Sequence, residues 1–313
     1  MVEEQGAPGA RPRVSVVIPH LNQPDAARRC LDSLAAQSYP AELVEIILVD
    51  NGSNAPLDWL ATAYPHVTLL HEPRPGPGHA RNRGVAAAGG AVLAFIDADC
   101  RADARWIEAA VAGLGAADAT GVVGGDVRID RVAEDRLTPL EAYESIFAYR
   151  QKLYIAKRGF SGTGNLAVRR ALFDRVGPFG GIDIAEDADW GMRARLAGHP
   201  ARYRADMIIY HPARERFSEL QAKWRRHVAH DLTRHRQKGG SDAAWFARAV
   251  AVLLSVGPHG LKILLSGRIS GFSARLAGIG VLARIRWFRF RQMLSQARQD
   301  GASAAAEWNR AGS

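Results

Sequence analysis

The sequence predicts an α/β protein in which helices cover both faces of a sheet, followed by a helical C-terminal extension. Three observations lead to this prediction. Short β-branched runs alternate with helical segments through the first hundred residues, 47% of the 313 residues are hydrophobic, and the last third changes in composition. Strands that alternate with helices at this spacing form parallel sheets. A chain of this length can bury one large core or two modest ones.

The first hundred residues contain the clearest elements. We expect strands at residues 14–18, 44–49, 67–70 and 92–96, with helices at 25–37, 56–64 and 78–88 between them. Asp25 is the expected N-cap of the first helix. Ligands of open parallel sheets bind beyond the carboxyl ends of the strands. The binding edge is therefore predicted at the residues that follow the strands, beginning at Pro19, Asp50, Glu72 and Asp97.

The middle of the chain is less regular. We expect a strand with a glycine bulge at 122–129, a glycine-rich loop at 159–165 and a strand at 203–210. Helices are expected at 140–157, 171–176 and 189–197. These elements complete a predicted domain at residues 13–213.

The C-terminal third, residues 214–313, has a different charge. It holds 18 basic and 6 acidic residues, a net charge of +12, whereas residues 1–213 hold 23 basic and 26 acidic residues. Such an excess indicates an anionic partner. The apolar runs at 249–261 and 276–283 are shorter than the roughly 20 residues that cross a bilayer. Arginines and aromatic residues at 284–291 favour a region lying in a membrane interface, and a basic subdomain packed on the core is the alternative.

The N-terminus and the cysteines indicate the compartment. Residues 1–13 contain no apolar run, so we expect no secretory signal. Cys30 and Cys100 are too few and too far apart for a disulfide framework or a zinc cluster. We therefore expect a cytoplasmic protein with two reduced thiols. The C-terminal third leads us to expect that it is peripheral on the cytoplasmic face of the inner membrane.

Two polar motifs carry the predicted chemistry. Asp97 and Asp99 follow the buried strand at 92–96, where their carboxylates suit Mg²⁺ or Mn²⁺ and a bound diphosphate. A Gly- and Pro-rich loop opens a helix that carries Arg81 and Asn82, a pattern that favours anionic groups. A plain helix start with surface arginines is the alternative for the second motif.

Six motifs in order resemble those of family 2 glycosyltransferases. They are Val14-Ser-Val-Val-Ile-Pro19, Leu48-Val-Asp50-Asn-Gly-Ser53, Gly78-x-Ala-Arg81-Asn82-x-Gly84, Phe95-Ile-Asp-Ala-Asp99, Gly164-Asn165 and Glu186-Asp187-x-x-x-x-x-Arg193. The resemblance covers residues 13–212, about two thirds of the chain. It implies a GT-A fold and inverting transfer of a sugar from a nucleotide diphosphate, most often UDP, to a saccharide or lipid-linked acceptor. Cell-surface polysaccharide or glycolipid synthesis is the expected setting.

The resemblance also implies roles for individual residues. Asp187 is the expected general base, and a divalent cation is expected at Asp99, with His211 either completing the metal site or satisfied at its strand end. Contacts with the nucleotide sugar are expected from Pro19, His20, Asn22, Asp50, Asn51, Arg81, Asp97 and Ala98. Contacts with the acceptor are expected from Asn165, Glu186 and Trp190.

Some residues depart from the family pattern. His20 replaces a small hydroxyl residue, and Trp190 replaces a leucine, so that it either stacks on an acceptor sugar or simply packs. Gln221-Ala-Lys-Trp224-Arg225 only approximates the motif of the processive synthases, with its last two residues transposed. Single-sugar transfer is therefore favoured over polymer extrusion.

Other classes of protein fit less well. A nucleotidyltransferase would carry a basic, glycine-rich loop after the first strand, where this chain has His20-Leu-Asn-Gln-Pro-Asp25. A nucleic-acid-binding protein would explain the basic C-terminal third, but no known binding motif is visible and the acidic motifs do not suit a phosphate backbone. A nucleotide-sugar-binding pseudo-enzyme stays as an alternative.

Overall fold

The computed structural model describes residues 11–133, 135–182 and 184–298. The prediction about a secretory signal concerns a segment of which residues 1–10 lie outside this description. The chain divides into two compact units: Met1–Asp130 with Arg150–Pro212, and Arg131–Tyr149 with Ala213–Ser313. This division differs from the predicted domains 13–213 and 214–313, because residues 131–149 belong with the C-terminal unit.

The described part of the first unit contains one mixed sheet of eight strands. They are β1 (Val14–His20), β2 (Val44–Asp50), β3 (Val67–His71), β4 (Val92–Ile96), β5 (Arg101–Ala102), β6 (Val122–Asp130), β7 (Asn165–Arg169) and β8 (Arg202–Pro212). Their order is β3-β2-β1-β4-β7-β6-β8-β5. Strands β1 to β4 are parallel to one another, whereas β7 is antiparallel to both β4 and β6. The predicted parallel strands are confirmed, and they form half of a mixed sheet.

Helices pack against this sheet. Those of the first unit are α1 (Pro24–Ala35), α2 (Trp59–Ala63), α3 (Pro77–Ala87), α4 (Trp106–Gly115), α6 (Gln151–Arg158), α7 (Arg170–Val176) and α8 (Glu186–Leu196). All five residues of β4 are buried, as expected of a strand between two layers of helices. Helix α1 begins differently from the prediction: Gln23 is its N-cap, and Pro24 and Asp25 lie in its first turn, where proline is tolerated.

One strand was missed and one helix was predicted wrongly. The expected loop at 159–165 and helix at 171–176 left no strand between them, yet β7 lies there, and four of its five residues are buried in the middle of the sheet. The single helix expected at 140–157 is two helices, α5 (Pro139–Phe147) and α6. The chain breaks there because the two helices bury their apolar side chains in different cores: Tyr143 and Ile146 in the second unit, and Ile155 in the first.

The described residues of the second unit are mainly helical. Its helices are α5, α9 (Phe217–Gln237), α10 (Asp242–Leu254), α11 (Val256–Leu264) and α12 (Phe272–Arg298). Helix α5 begins with a capping box between Thr138 and Glu141. Ala142 of α5 packs with Leu282 of α12 in one apolar cluster. The expected helical extension is therefore present.

One helical stretch of the described residues, Asp242–Leu264, is long and apolar enough to cross a membrane by length and composition alone. It comprises α10 and α11 and extends beyond the run at 249–261, which the sequence marked as too short. Only 17% of the most apolar 18-residue segment within this stretch is buried in the structure.

Candidate active site

Asp50 lies at the carboxyl end of β2, beside the ends of β1 and β3. The backbone N–H of Gln23 donates to Nε2 of His20 (3.3 Å), so the proton of a neutral His20 lies on Nδ1 and points to Oδ1 of Asp50 (3.2 Å). Burial would raise the pKa of Asp50, but hydrogen bonds from Ser53 and His20 outweigh it and hold that pKa below its ordinary value. Asp50 is therefore an ionised acceptor held in one orientation.

His20 was predicted to contact the nucleotide, and the structure corrects this. Its side chain is completely buried, so it acts on Asp50 and not on a ligand. His71, which the sequence did not single out, is exposed and lies 3.6 Å from Oδ2 of Asp50. The available sequence signal was that His71 directly follows the strand predicted at 67–70; in the structure it ends β3 and pairs in register with Asp50.

Asn51 and Asn22 shape the loops around Asp50. Asn51 donates to the carbonyl oxygens of Glu72 and Arg74 (both 2.8 Å) and accepts from the backbone N–H of Gly76 (2.7 Å). These bonds show that the amide of Asn51 fixes the loop before α3. Asn51 is still partly exposed, and its predicted nucleotide contact stays a prediction. Asn22 has a positive φ of 55°, and its Oδ1 accepts from the backbone of Asn54 (2.8 Å). Its nucleotide contact stays a prediction, as does that of Pro19.

Arg81 joins two of the acidic motifs. It lies buried on α3, and its guanidinium donates to Oδ1 of Asp97 (2.6 Å) after β4 and to Oε1 of Glu186 (3.0 Å) at the start of α8. Its Nε has no hydrogen-bond partner among the residues that the structure describes. Asp97 and Glu186 keep 39% and 19% of their side-chain surface exposed, so both still face solvent. The predicted donor and acceptor residues Arg81, Asp97 and Glu186 therefore form one charged bridge across the site.

Glycine makes room for this bridge. A Cβ added to Gly164 would lie 2.4 Å from Oδ2 of Asp97, closer than packed atoms approach. The Gly164-Asn165 motif therefore has a steric role at Gly164. Ala98, the residue after Asp97, is buried, and its predicted contact with the nucleotide sugar stays a prediction.

The predicted metal ligands Asp99 and His211 lie together, although they are 112 positions apart in the chain. Nδ1 of His211 lies 2.7 Å from the carbonyl oxygen of Pro212, to which it can donate, and Nε2 lies 3.3 Å from Oδ2 of Asp99. The neutral tautomer that this bond selects would present the lone pair of Nε2 to a metal ion. Burial raises the pKa of Asp99, and Asp97 adds to this, while His211 opposes it. A cation between two such acceptors would satisfy both, so these residues fit a divalent metal.

Cys100 also offers an atom within 4.8 Å of this pair. Burial, and then the charges of Asp97 and Asp99, raise the pKa of its thiol well above the ordinary value. A protonated thiol is a poor ligand, and Mg²⁺ and Mn²⁺ prefer oxygen. Cys30 and Cys100 are both free and buried, and their reduced state in the cell stays a prediction.

Asp187 lies in the first turn of α8, next to the bridge formed by Arg81 and Glu186. Its Oδ1 accepts from the backbone N–H of Ala188 (2.7 Å), and its Oδ2 faces the loop at Gly162. Burial raises the pKa of Asp187, with a further contribution from Glu186, while the Ala188 hydrogen bond and Arg81 oppose the rise. A carboxylate with a raised pKa is the form of this group that accepts a proton most readily.

Two predicted acceptor residues are structural. The side chain of Trp190 is 1% exposed, stacks on Phe173 and donates from Nε1 to the carbonyl oxygen of Gly177. Asn165 is fully buried and donates to the carbonyl oxygens of Asp126 and Met207, while its Oδ1 accepts from Trp106 (2.8 Å). Neither side chain has surface left for a sugar in this structure. Of the two alternatives for Trp190 the structure therefore favours packing, and the burial of Asn165 argues against its predicted acceptor contact.

Part of this chain is similar in sequence to known glycosyltransferases. Residues 15–177 match the profile of glycosyl transferase family 2. Glycosyltransferase AglE of Haloferax volcanii is 37% identical over 220 residues, which is 68% of this chain and 70% of that protein. The uncharacterized glycosyltransferase YibD of Escherichia coli K12 is 42% identical over 91 residues, 28% of this chain and 26% of that protein.

Solved structures show the same fold at lower identity. The mannosyltransferase PcManGT from Pyrobaculum calidifontis, solved with GDP-Man and Mn²⁺, aligns with a TM-score of 0.54 and 21% identity over 96% of this chain and 79% of that one. GalNAc-T7 with UDP, GalNAc and Mn²⁺ aligns with a TM-score of 0.51 and 19% identity over 65% of this chain and 44% of that one. The fold is thus that of the GT-A glycosyltransferases, as predicted. Because the family profile spans more than half of the chain and the archaeal relative is 37% identical over two thirds of it, the chain belongs to glycosyl transferase family 2.

Proposed function

We propose that this glycosyltransferase transfers one sugar at a time, with inversion, from a nucleoside diphosphate donor to an acceptor hydroxyl. The observation that carries the proposal is the position of Asp187, a carboxylate of raised pKa in the first turn of α8, next to Glu186, which Arg81 binds. Inversion in one displacement needs a single such base on the side of the sugar opposite the diphosphate.

The proposed step conserves atoms and charge. The carboxylate of Asp187 accepts the proton of the acceptor hydroxyl, and the acceptor oxygen forms a bond to the anomeric carbon. The bond from that carbon to the diphosphate oxygen breaks at the same time, and the nucleoside diphosphate leaves with the electron pair. A divalent cation held by Asp99 and His211 would neutralise the charge on the leaving diphosphate.

The donor base is proposed to bind at Asp50. The ionised carboxylate there accepts hydrogen bonds and cannot donate them, which suits the ring N–H groups of uracil and guanine. We propose UDP as the nucleotide of the donor. GDP is the alternative, because one structural neighbour was solved with GDP-Man. The proposed acceptor is a saccharide or lipid-linked saccharide of cell-surface polysaccharide or glycolipid synthesis, reached at the cytoplasmic face of a membrane.

Thermal unfolding with a panel of nucleotides and nucleotide sugars, with and without Mn²⁺, tests this proposal. A ligand present at 100 times its dissociation constant adds about 2.7 kcal/mol to the stability of the folded state. We expect a Mn²⁺-dependent rise in Tm with UDP or GDP ligands, lost in Asp99→Ala and kept in the control Asp58→Ala, whose side chain is exposed. The absence of any rise with folded protein would refute the donor site.

A further inference from the structure

Helices α10 and α11 of the second unit present an exposed apolar stripe. We define it as Ala247, Ala251, Leu254, Pro258, Leu261 and Leu265, all of which are exposed. Successive members are separated by four and three residues in alternation, a spacing that places them on one side of a helix. Ser255 between the two helices keeps right-handed helical dihedrals (φ −65°, ψ −5°), so the stripe continues across the junction.

The stripe is unusual for a protein surface. Leu254, Leu261 and Leu265 are 70%, 55% and 77% exposed, and the nearby Phe246 and Phe272 are more than half exposed. Single exposed apolar residues are common, but a contiguous row marks a surface that contacts a partner or a membrane.

The opposite side of the same helices is already packed. Trp245 and Ala249 of α10 are buried in an apolar cluster with Met293 of α12, and Nε1 of Trp245 donates to the carbonyl oxygen of Met293 (2.9 Å). Ile263 of α11 is buried in the neighbouring cluster. Each helix therefore has one side bound to its own unit and one side without a cover in the described residues.

The positive charge near the stripe indicates which kind of partner covers it. Lys262 and Arg268 are exposed at its C-terminal end, and residues 214–313 carry 18 basic against 6 acidic residues. An apolar row beside basic side chains complements a bilayer that contains anionic lipids, where acyl chains lie beneath negative headgroups. A second copy of this basic unit would instead bring like charges together.

The stretch Asp242–Leu264 is long enough to span a bilayer, but the positions of its charged residues favour a helix lying in the interface. The uncharged stretch between Arg248 and Lys262 has a length of about 20 Å at 1.5 Å per residue. The hydrocarbon core of a bilayer is about 30 Å thick. Trp245 and Ile263, buried against the rest of the unit, would also have to leave their packing sites if the helices crossed the membrane.

We propose that the stripe is a membrane-binding surface that lies in the plane of the interface of a bilayer containing anionic phospholipids. This goes beyond sugar transfer, and binding at the stripe does not depend on the donor site. Full burial of one leucine changes a partition equilibrium by about tenfold. The variant with Leu254→Gln, Leu261→Gln and Leu265→Gln should therefore lose measurable binding.

Co-sedimentation of the full-length protein with vesicles tests the proposal, using phosphatidylcholine alone and phosphatidylcholine mixed with phosphatidylglycerol. We expect the wild-type protein to bind the mixed vesicles more tightly, and the triple variant to stay in the supernatant. Leu196→Gln is the matched control, since Leu196 is 81% exposed on α8 in the first unit, and it should bind as the wild type does.

Three outcomes would overturn the proposal. In the first, the wild-type protein does not bind vesicles. In the second, the triple variant binds vesicles as tightly as the wild type. In the third, neither protein binds vesicles, and analytical ultracentrifugation shows that the wild type is a dimer and the triple variant is not. The Tm rise with nucleotide should be unchanged in the triple variant. If the wild-type protein binds vesicles but no nucleotide raises its Tm, the membrane-binding role of the stripe is supported and the proposed donor site is refuted.

Discussion

Replacing Arg81 with methionine tests the charged bridge most directly. Methionine keeps much of the length and the apolar stem of arginine but removes both hydrogen bonds, to Asp97 (2.6 Å) and to Glu186 (3.0 Å). The two carboxylates at the end of β4 and the start of α8 would then lie in the same site without the cation that separates them.

The expected loss of stability follows from three contributions. Each hydrogen bond to a charged group stabilises a protein by about 1.5–3 kcal/mol. Two contributions reduce the sum: Asp97 and Glu186 keep contact with water, and the buried, unpartnered Nε of Arg81 disappears with the substitution. We therefore expect Arg81→Met to lower the free energy of unfolding by about 2–3 kcal/mol, less than the 3–5 kcal/mol of a fully buried pair.

Urea unfolding measures this difference. The midpoint should fall while the slope stays constant, since the surface exposed on unfolding hardly changes. Arg83→Met on the same helix is the matched control, because Arg83 is exposed, and it should change the stability by less than about 0.5 kcal/mol. Equal midpoints for the two variants would show that the bridge contributes nothing to the fold.

Three further predictions concern the same unit. Asp187→Asn should lower kcat about 10²–10⁴-fold. The same variant should be more stable than the wild type at neutral pH, because burial raises the pKa of the native carboxyl and so penalises its ionised form. This gain in stability should vanish below the ordinary Asp pKa of about 4. Urea unfolding at pH 7 and below pH 4 measures both values, and a less stable variant at pH 7 would contradict the prediction. Trp190→Ala should cost about 3–5 kcal/mol in calorimetry, whereas Trp287→Ala, at a half-exposed site, should cost far less; similar losses would refute the packing role. Gly164→Ala places a Cβ 2.4 Å from a carboxylate oxygen and should cost about 1–3 kcal/mol, and Gly115→Ala, with open space around it, should not.

The strands that position the site were predictable from local pattern. Residues 14–18, 44–49, 67–70 and 92–96 are short apolar runs closed by polar turns, and β1 to β4 lie there. The position of Asp97 and Asp99 followed at once, because both residues come directly after a completely buried strand. Asp99 and His211 were also predicted as a pair, and the structure brings them together.

The roles of other motif residues depended on partners far away in the chain. Arg81 binds Glu186 across 105 positions, and Asn165 binds atoms of Trp106, Asp126 and Met207. Sequence spacing marked Asn165 and Trp190 as important without showing whether they contact a ligand or hold the fold. Only the tertiary structure separates these two roles, because burial is a property of the assembled chain.

The discontinuity of the second unit has a consequence for synthesis on the ribosome. Helix α5 is made as part of the chain between β6 and α6, but its side chains Tyr143 and Ile146 pack with residues such as Leu282. At 5–20 residues per second, roughly 140 residues of synthesis separate this helix from Leu282, which corresponds to about 7–28 s. The apolar side of α5 therefore stays exposed on the nascent chain during that time, and it reaches its final packing only after α12 has been made.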